Sequence, residues 1–529
     1  MIPWWGLAIL VLGANFALWG SVGLCRQSGI LIRRLRERWS ARRKSPAAST
    51  VAGQVAGPVA GQVAGSADGQ LTGPVGGQST GQAVAVSGGA HPPARPEQLT
   101  VNDVAVLIPA HNEAVVLGDS LKAIMALVPA RNVHVVSDGS TDDTVQIARR
   151  AGAKVISTKT NLGKAGALDE AITRFNLIRR FRVVMLLDAD TRVQPGYFTA
   201  GLPMFDNPGV VAVAGCVKTA PGRALTFTGN VLVGHRQRIY AIGQRVVKFG
   251  QTWLRTNATH IVPGFASMYR SSVLPHIDMN PPGLVIEDFN MTFEVYQKRL
   301  GKVGFSLAAV AVTQDPDNIR DYVRQTKRWA IGMWQTVRRH PPRANFFTGM
   351  LALLLLELVT SSLLLLLLPL LLIVLVIPDL AGGALSWPVF GEVHAVVAAH
   401  ITLSAAFFGI LVPDLILTCV VAVVERQPRL LLFGLFFPLL RLLDAAIGLY
   451  AVPVAWLSAS SGRWKSPARR AVPAAPASGQ PARRPVPPGS QRAAQVAARA
   501  SGQDVPAVYG ARERGRPPAF AGERPHASA

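Results

Sequence analysis

Asp188-Ala189-Asp190 stands directly after the apolar run Val183–Leu187. Two carboxylates one residue apart at a strand end are hard oxygen donors. They suit Mg2+ or Mn2+, ions that keep positions open for other oxygens such as those of a diphosphate. Three earlier apolar runs finish in the same manner. The first gives Ile108-Pro109-Ala110-His111-Asn112-Glu113, and the second Ser137-Asp138-Gly139-Ser140-Thr141-Asp142-Asp143. After the third comes Asn161-Leu162-Gly163-Lys164-Ala165. One Asp-x-Asp arises easily by chance, and a solvated strand end is polar anyway. Four such clusters in succession describe one edge of one sheet. No GxxxxGK[ST] loop occurs and no G-x-G-x-x-G follows a strand, which disfavours kinases, ATPases and dehydrogenases.

The elements that must place those clusters read as Val104–Pro109, Val133–Asp138, Lys154–Ser157 and Val183–Asp188 for strands. Helical patterns lie between them, Ala114–Leu127 and Thr144–Ala151 among them. Alternation of strand and helix predicts an α/β domain with a mostly parallel sheet covered on both faces. Ligands of such sheets bind outside the carboxyl ends of the strands.

The chain around this domain is basic and apolar at once. Its 529 residues carry 54 Lys+Arg against 30 Asp+Glu, a formal charge of +24, yet only 16% are charged and 49% are hydrophobic. Charge alone would suggest nucleic acid; charge on so apolar a chain predicts a membrane protein with its positive residues on one side. Three scattered cysteines exclude a disulfide scaffold and a Cys-rich zinc module. Ile2–Leu24 is long enough to cross a bilayer, which takes about 20 apolar residues. The arginines that follow it place residue 26 onward in the cytosol.

The expected organisation is a span over residues 1–25, a basic juxtamembrane segment over 26–44 and a disordered Gly/Ala/Val repeat linker over 45–98. The folded domain follows over 99–345, apolar segments over 346–460, and a disordered basic tail over 461–529. The apolar stretches run at about Met350–Ile377, Val393–Val424 and Leu430–Ser458. If all three cross, the Arg-rich tail lies outside, against the positive-inside rule. The last is therefore expected to be interfacial or re-entrant. It holds Arg441 and Asp444 on one helical face, charges that such a depth usually pairs.

IPAHNE, DGSTDDT, NLGKAGAL, DAD, IEDFNMTF and QTKRW occur in this order. The set resembles family-2 glycosyltransferases of GT-A (Rossmann-like) fold over residues 103–340. Within them it is similar to the membrane-embedded processive synthases of cellulose, chitin, hyaluronan and poly-N-acetylglucosamine. The resemblance implies an inverting transfer from a UDP-sugar, UDP-N-acetylglucosamine foremost, with Mg2+ or Mn2+ as cofactor. It also implies that Pro109, Glu113, Asp138 and Lys164 line the nucleotide and donor site. Asp188 then stands near the donor sugar and diphosphate, and Asp190 is the metal ligand. Glu287-Asp288 matches the acidic motif whose second carboxylate is the general base. In Gln325-x-x-Arg328-Trp329 the arginine meets diphosphate and the tryptophan is the acceptor platform. Gly264–Arg270 resembles the acceptor-lining segment. Ile286 stands where many relatives have Thr.

The chemistry agrees with those residue types. An acceptor hydroxyl is a poor nucleophile until a carboxylate takes its proton, and positive charge stabilises a departing diphosphate. The partners implied are a UDP-sugar, a polysaccharide or glycolipid acceptor, membrane lipids and, as an option, an accessory export subunit, with no nucleic acid. The protein is expected in the plasma membrane, multi-pass, with its catalytic domain cytosolic. Transfer of one sugar to a lipid carrier and an inactive membrane scaffold stay open beside chain elongation. Plain structural readings also exist: a macrodipole-favoured pair for Glu287 and Asp288, and an interfacial anchor for Trp329.

Overall fold

The computed structural model describes residues 13–44, 98–220, 226–380 and 388–458, together with Pro3 and Gly6. The repeat linker up to residue 97, the basic tail and ten residues near the start of the first span fall outside them. Within them, β1 (Val104–Ala110), β2 (Val133–Ser137), β3 (Lys154–Ser157) and β4 (Val183–Leu187) match the strands expected from the sequence to within a residue at each end.

β1, β2 and β4 are buried on both faces while β3 is partly exposed, and period-two alternation sorts the buried side chains. Val104, Val106 and Ile108 pack with Leu117, Leu121 and Ile124 of the helix Ala114–Met125. Ala105 and Leu107 point the other way, onto Ala167, Leu168 and Ala171 of the helix Gly163–Arg174. A strand covered on two sides reads as a continuous apolar run, which is why β1, β2 and β4 were legible.

Four more strands complete the sheet: β5 (Arg192–Val193), β6 (Val210–Thr219), β7 (Ala266–Arg270) and β8 (Lys302–Thr313). The order is β3-β2-β1-β4-β7-β6-β8-β5. β1 pairs in parallel with β2 and β4, β2 with β3, and β6 with β8. β7 enters antiparallel between β4 and β6, with Leu187 opposite Ala266, and β5 lies antiparallel on β8. The sheet is therefore mixed. The β4–β7 pairing matters most for the site, because it lays the chain before Ala266 alongside the chain after Leu187.

Among the described residues three helices are long and apolar enough to cross a membrane: Phe346–Ile377, Leu403–Val424 and Phe437–Leu457. The stretch expected to be continuous over Val393–Val424 is broken. One helix runs Pro388–His400, and the Thr402 hydroxyl opens the next by accepting from the Ala405 N–H at 3.1 Å. The third has the dimensions of a span, so its length lends nothing to the interfacial placement. Its charges are paired as expected. Arg441 Nη1 lies 2.6 Å from Asp414 Oδ1, and Asp444 meets His235 and Tyr322.

The residues divided above into a span and a juxtamembrane segment share one helix, Ala14–Lys44. It crosses the domain at Gly250, where a Cβ would stand 2.2 Å from the Trp19 carbonyl oxygen, so only glycine permits the approach. Arg26 locks the crossing. Its Nη1 donates to the Phe249 carbonyl at 2.6 Å and to Thr252 Oγ1 at 3.1 Å, with the guanidinium 4.0 Å above the Phe249 ring.

Candidate active site

Asp188 follows β4, and its backbone N–H donates to the Phe265 carbonyl at 2.9 Å, prolonging the β4–β7 pairing by one step. That bond sets Gly264 beside the strand end. Lys164, in the first turn of the helix Gly163–Arg174, reaches the same place. Its ammonium lies 2.7 Å from Asp188 Oδ1 and 2.8 Å from Glu287 Oε1. Glu287 and Asp288 are the first two residues of the helix Glu287–Gln297. One cation thus joins the end of a central strand to the start of a helix a hundred residues away. A Cβ at Gly264 would stand 2.9 Å from both Lys164 Nζ and Glu287 Oε1, so a side chain here would displace the ends of that pair.

The electrostatics follow from crowding three carboxylates around one ammonium. Burial opposes the charge on Lys164, but Asp188 and Glu287 outweigh it and hold its pKa above the ordinary lysine value. Burial also raises carboxyl pKa values. For Glu287 the Lys164 ammonium overrides it, and the group is held below its ordinary value. For Asp188 burial prevails, helped by the negative charge of Asp190. Asp288 is pushed up to about 6 by burial and the charge of Glu287. Its oxygens accept from the Phe289 N–H at 2.8 Å and the Gly264 N–H at 3.3 Å. Of the two neighbours, Glu287 is the ionised anchor and Asp288 the group whose proton can move.

Asp190 is 6% exposed and accepts from Thr313 Oγ1, at the end of β8, at 3.3 Å. Pro109 is in β1, and Glu113, 1% exposed, is the residue before the helix Ala114–Met125. Asp138 sits one residue past β2, and its carboxylate accepts from the N–H groups of Leu162 and Gly163 at 2.8 and 2.9 Å and from Thr158 Oγ1 at 3.0 Å. In this state it shapes the loop that carries Lys164. His111 Nδ1 lies 2.6 Å from the Asp138 carbonyl, tying the first two strand ends together. Among the described residues no three His, Cys, Asp or Glu side chains gather as a metal cage.

Gln325, Arg328 and Trp329 lie on the helix Ile319–Arg339, entered from β8 through the Asn318 cap. This helix docks onto the Glu287 turn: Gln335 Oε1 accepts from the Val285 N–H at 3.1 Å. Arg328 is exposed, and its charge contributes to lowering Glu287. The Trp329 ring has the Arg236 guanidinium 4.5 Å from its centroid.

Residues 105–277 match the family profile Glycosyl transferase family 2. The chain is 27% identical over 247 residues to YaiP, an uncharacterized glycosyltransferase of Escherichia coli (strain K12), covering 45% of this chain and 58% of that one. It is 29% identical over 244 residues to YdaM, a probable glycosyltransferase of Bacillus subtilis (strain 168), covering 43% and 54%. The chain thus spans a little over half the length of these relatives. Among solved structures it is similar to a mannosyltransferase of Pyrobaculum calidifontis in complex with GDP-Man and Mn2+. The TM-score is 0.38 at 18% identity, over 66% of this chain and 87% of that one. Pro109, Glu113, Asp138, Lys164, Asp188 and Asp190 fall inside the transferase domain match; Glu287, Asp288, Gln325, Arg328 and Trp329 lie beyond it.

Sequence reasoning passed over two groups beside the transferase site. Lys248 is buried, its Nζ donates to the Ile261 carbonyl at 3.0 Å, and burial pulls its pKa down to about 8. A lone lysine within the apolar run Val246–Phe249 was the only signal. Arg236, 4% exposed, touches Gln325, Thr326, Tyr322 and Trp329. Nothing in its spacing announces that contact.

Proposed function

We propose that the chain is an inverting β-glycosyltransferase. It moves a sugar from a UDP-sugar, UDP-N-acetylglucosamine being the first choice, onto the end of a growing polysaccharide, and its apolar helices help the product across the membrane. The observation that carries this reading is the Lys164 ammonium held between Asp188 and Glu287, with Asp288 beside it. It couples the strand end expected to meet the donor to the helix start expected to meet the acceptor.

The transfer needs one base. Asp288, poised near neutrality, takes the proton of the acceptor hydroxyl as that oxygen attacks the anomeric carbon. The bond from that carbon to the diphosphate oxygen breaks, the electron pair leaves with UDP, and a single displacement turns an α-linked donor into a β-linkage. Glu287 stays ionised and keeps Lys164 in place. Arg328, exposed on its helix, is free to swing toward the diphosphate, and Trp329 offers its ring to the acceptor sugar.

The donor set fits a divalent ion. Asp190 adds to the upward push on the Asp188 carboxyl, a crowding of like charges that a cation relieves, and both groups offer hard oxygens. Because Lys164 already occupies Asp188 Oδ1, Asp190 is the residue to hold Mg2+ or Mn2+. That ion would supply positive charge to the departing diphosphate.

The test uses the full chain in detergent with Mn2+, offered UDP-N-acetylglucosamine, UDP-glucose and UDP-glucuronate separately, with UDP release and product length both followed. One donor should release UDP and yield a product that lengthens with time. Asp288→Asn should lower the rate by about 10²- to 10⁴-fold. Release that Asp288→Asn leaves unchanged refutes the assignment of the base. A product of one sugar on a lipid refutes elongation.

A further inference from the structure

One carboxylate of the apolar helices reaches the helix that carries Gln325 and Trp329. Asp444, on Phe437–Leu457, accepts from the Tyr322 hydroxyl at 2.8 and 3.0 Å through its two oxygens, and its Oδ2 lies 3.0 Å from His235 Nε2. Tyr322 is fully buried. It precedes Gln325, Thr326 and Trp329 by three, four and seven residues, so all four share one face of the helix Ile319–Arg339.

Arg236 completes the connection. Its guanidinium lies 4.5 Å from the ring centroids of both Tyr322 and Trp329. Its Nη2 donates to Thr326 Oγ1 at 2.7 Å and to Gln325 Oε1 at 3.5 Å. Arg236 and His235 belong to the helix Phe227–Ile242, which a second clamp holds to the spans. Arg238, two residues on, donates to Asp414 Oδ1 at 2.5 Å, and Arg441 Nη1 reaches the same oxygen at 2.6 Å. Charges within apolar spans are costly and tend to mark function.

We propose that Asp444 is a positioning residue for the acceptor. By holding Tyr322 and His235 it fixes the face on which Gln325 and Trp329 sit, so that the Phe437–Leu457 span governs how the acceptor is gripped while the donor site is left alone. This rests on the glycosyl-transfer reading above. On the donor side, Lys164 is joined to Asp188 and Glu287, and Arg328 is exposed, off the face that Tyr322 shares with Trp329, which is why the two functions separate.

Three substitutions in the full chain test it. Tyr322→Phe keeps the ring beneath Arg236 and removes only the hydroxyl; Asp444→Ala removes the carboxylate, and Asp444→Asn keeps an acceptor for the tyrosine. With UDP-N-acetylglucosamine as donor and a chitin tetrasaccharide as acceptor, Tyr322→Phe and Asp444→Ala should raise the acceptor KM about tenfold. UDP release to water without acceptor should stay within about twofold of the parent. Asp444→Asn should recover most of the loss, and the double variant should be no worse than Asp444→Ala. Amide exchange should quicken over residues 319–330 and not in β1–β4. An unchanged acceptor KM, equal losses with and without acceptor, or faster exchange throughout overturns the proposal. If the parent releases UDP from none of the three donors, the transfer reading itself fails. Exchange over 319–330 then decides the tether alone: faster in Tyr322→Phe and Asp444→Ala upholds it, and unchanged refutes it.

Discussion

The Asp288 assignment makes a demanding prediction about pH. A base works only when ionised, and the pKa of this one stands at about 6, pushed up first by burial and then by the charge of Glu287, against the pull of Lys164. At one pH unit below that value about one-eleventh of the molecules carry the charged form. The rate of UDP release at limiting donor should therefore fall about tenfold per unit on the acid side and level off above about pH 7. The neighbouring charges then give two shifts of opposite sign. Glu287→Gln removes a negative charge that disfavours ionisation, so the acid limb should move down. Lys164→Met removes a positive charge that favours ionisation, so the limb should move up. Each displacement should be about one pH unit, the size a unit charge a few ångströms away produces and worth about 1.4 kcal/mol. The assay is UDP release from the accepted donor over about pH 4.5 to 8 for the parent and both variants. A flat parent profile between about pH 5 and 7, or displacement of both variants in the same direction, would refute the reasoning.

Two other outcomes are expected from the packing. Gly264→Ala places a methyl 2.9 Å from Lys164 Nζ and Glu287 Oε1, so the shared ion pair must open; kcat/KM should drop about 10- to 100-fold with the melting temperature little changed. Asp414→Ala removes the carboxylate that holds the buried Arg238 among apolar helices. It should cost about 3–5 kcal/mol, read as a lower unfolding temperature in detergent, because an unpaired buried charge is worse than none.

β1, β2 and β4 were legible because each is a short run buried on both faces and closed by polar residues, and the partly exposed β3 by the polar cluster that follows it, patterns that local sequence carries by itself. The clusters at their ends were legible for the same reason, since parallel strands with helical crossovers bring every carboxyl end to one edge. Asp188, Asp190, Lys164 and Asp138 could thus be placed before any coordinates. The second half of the sheet was another matter. β7 enters antiparallel between β4 and β6, and only that pairing sets Gly264 beside Asp188 and opens room for Glu287 against Lys164. No local pattern encodes a register between segments so distant in the chain.

The long apolar helices divide in the same way. Hydropathy located three apolar stretches but not the break before Thr402, where one polar hydroxyl begins a new helix inside an apolar run. Arg441 and Asp444 were seen as charges in need of partners. Their partners, Asp414, His235 and Tyr322, come from three other helices. Residue types and local periodicity determined which groups could do chemistry and which elements would carry them. The tertiary structure alone decided which of those groups meet, because burial of charge is satisfied by whatever the packing brings within hydrogen-bond reach, wherever it lies in the chain.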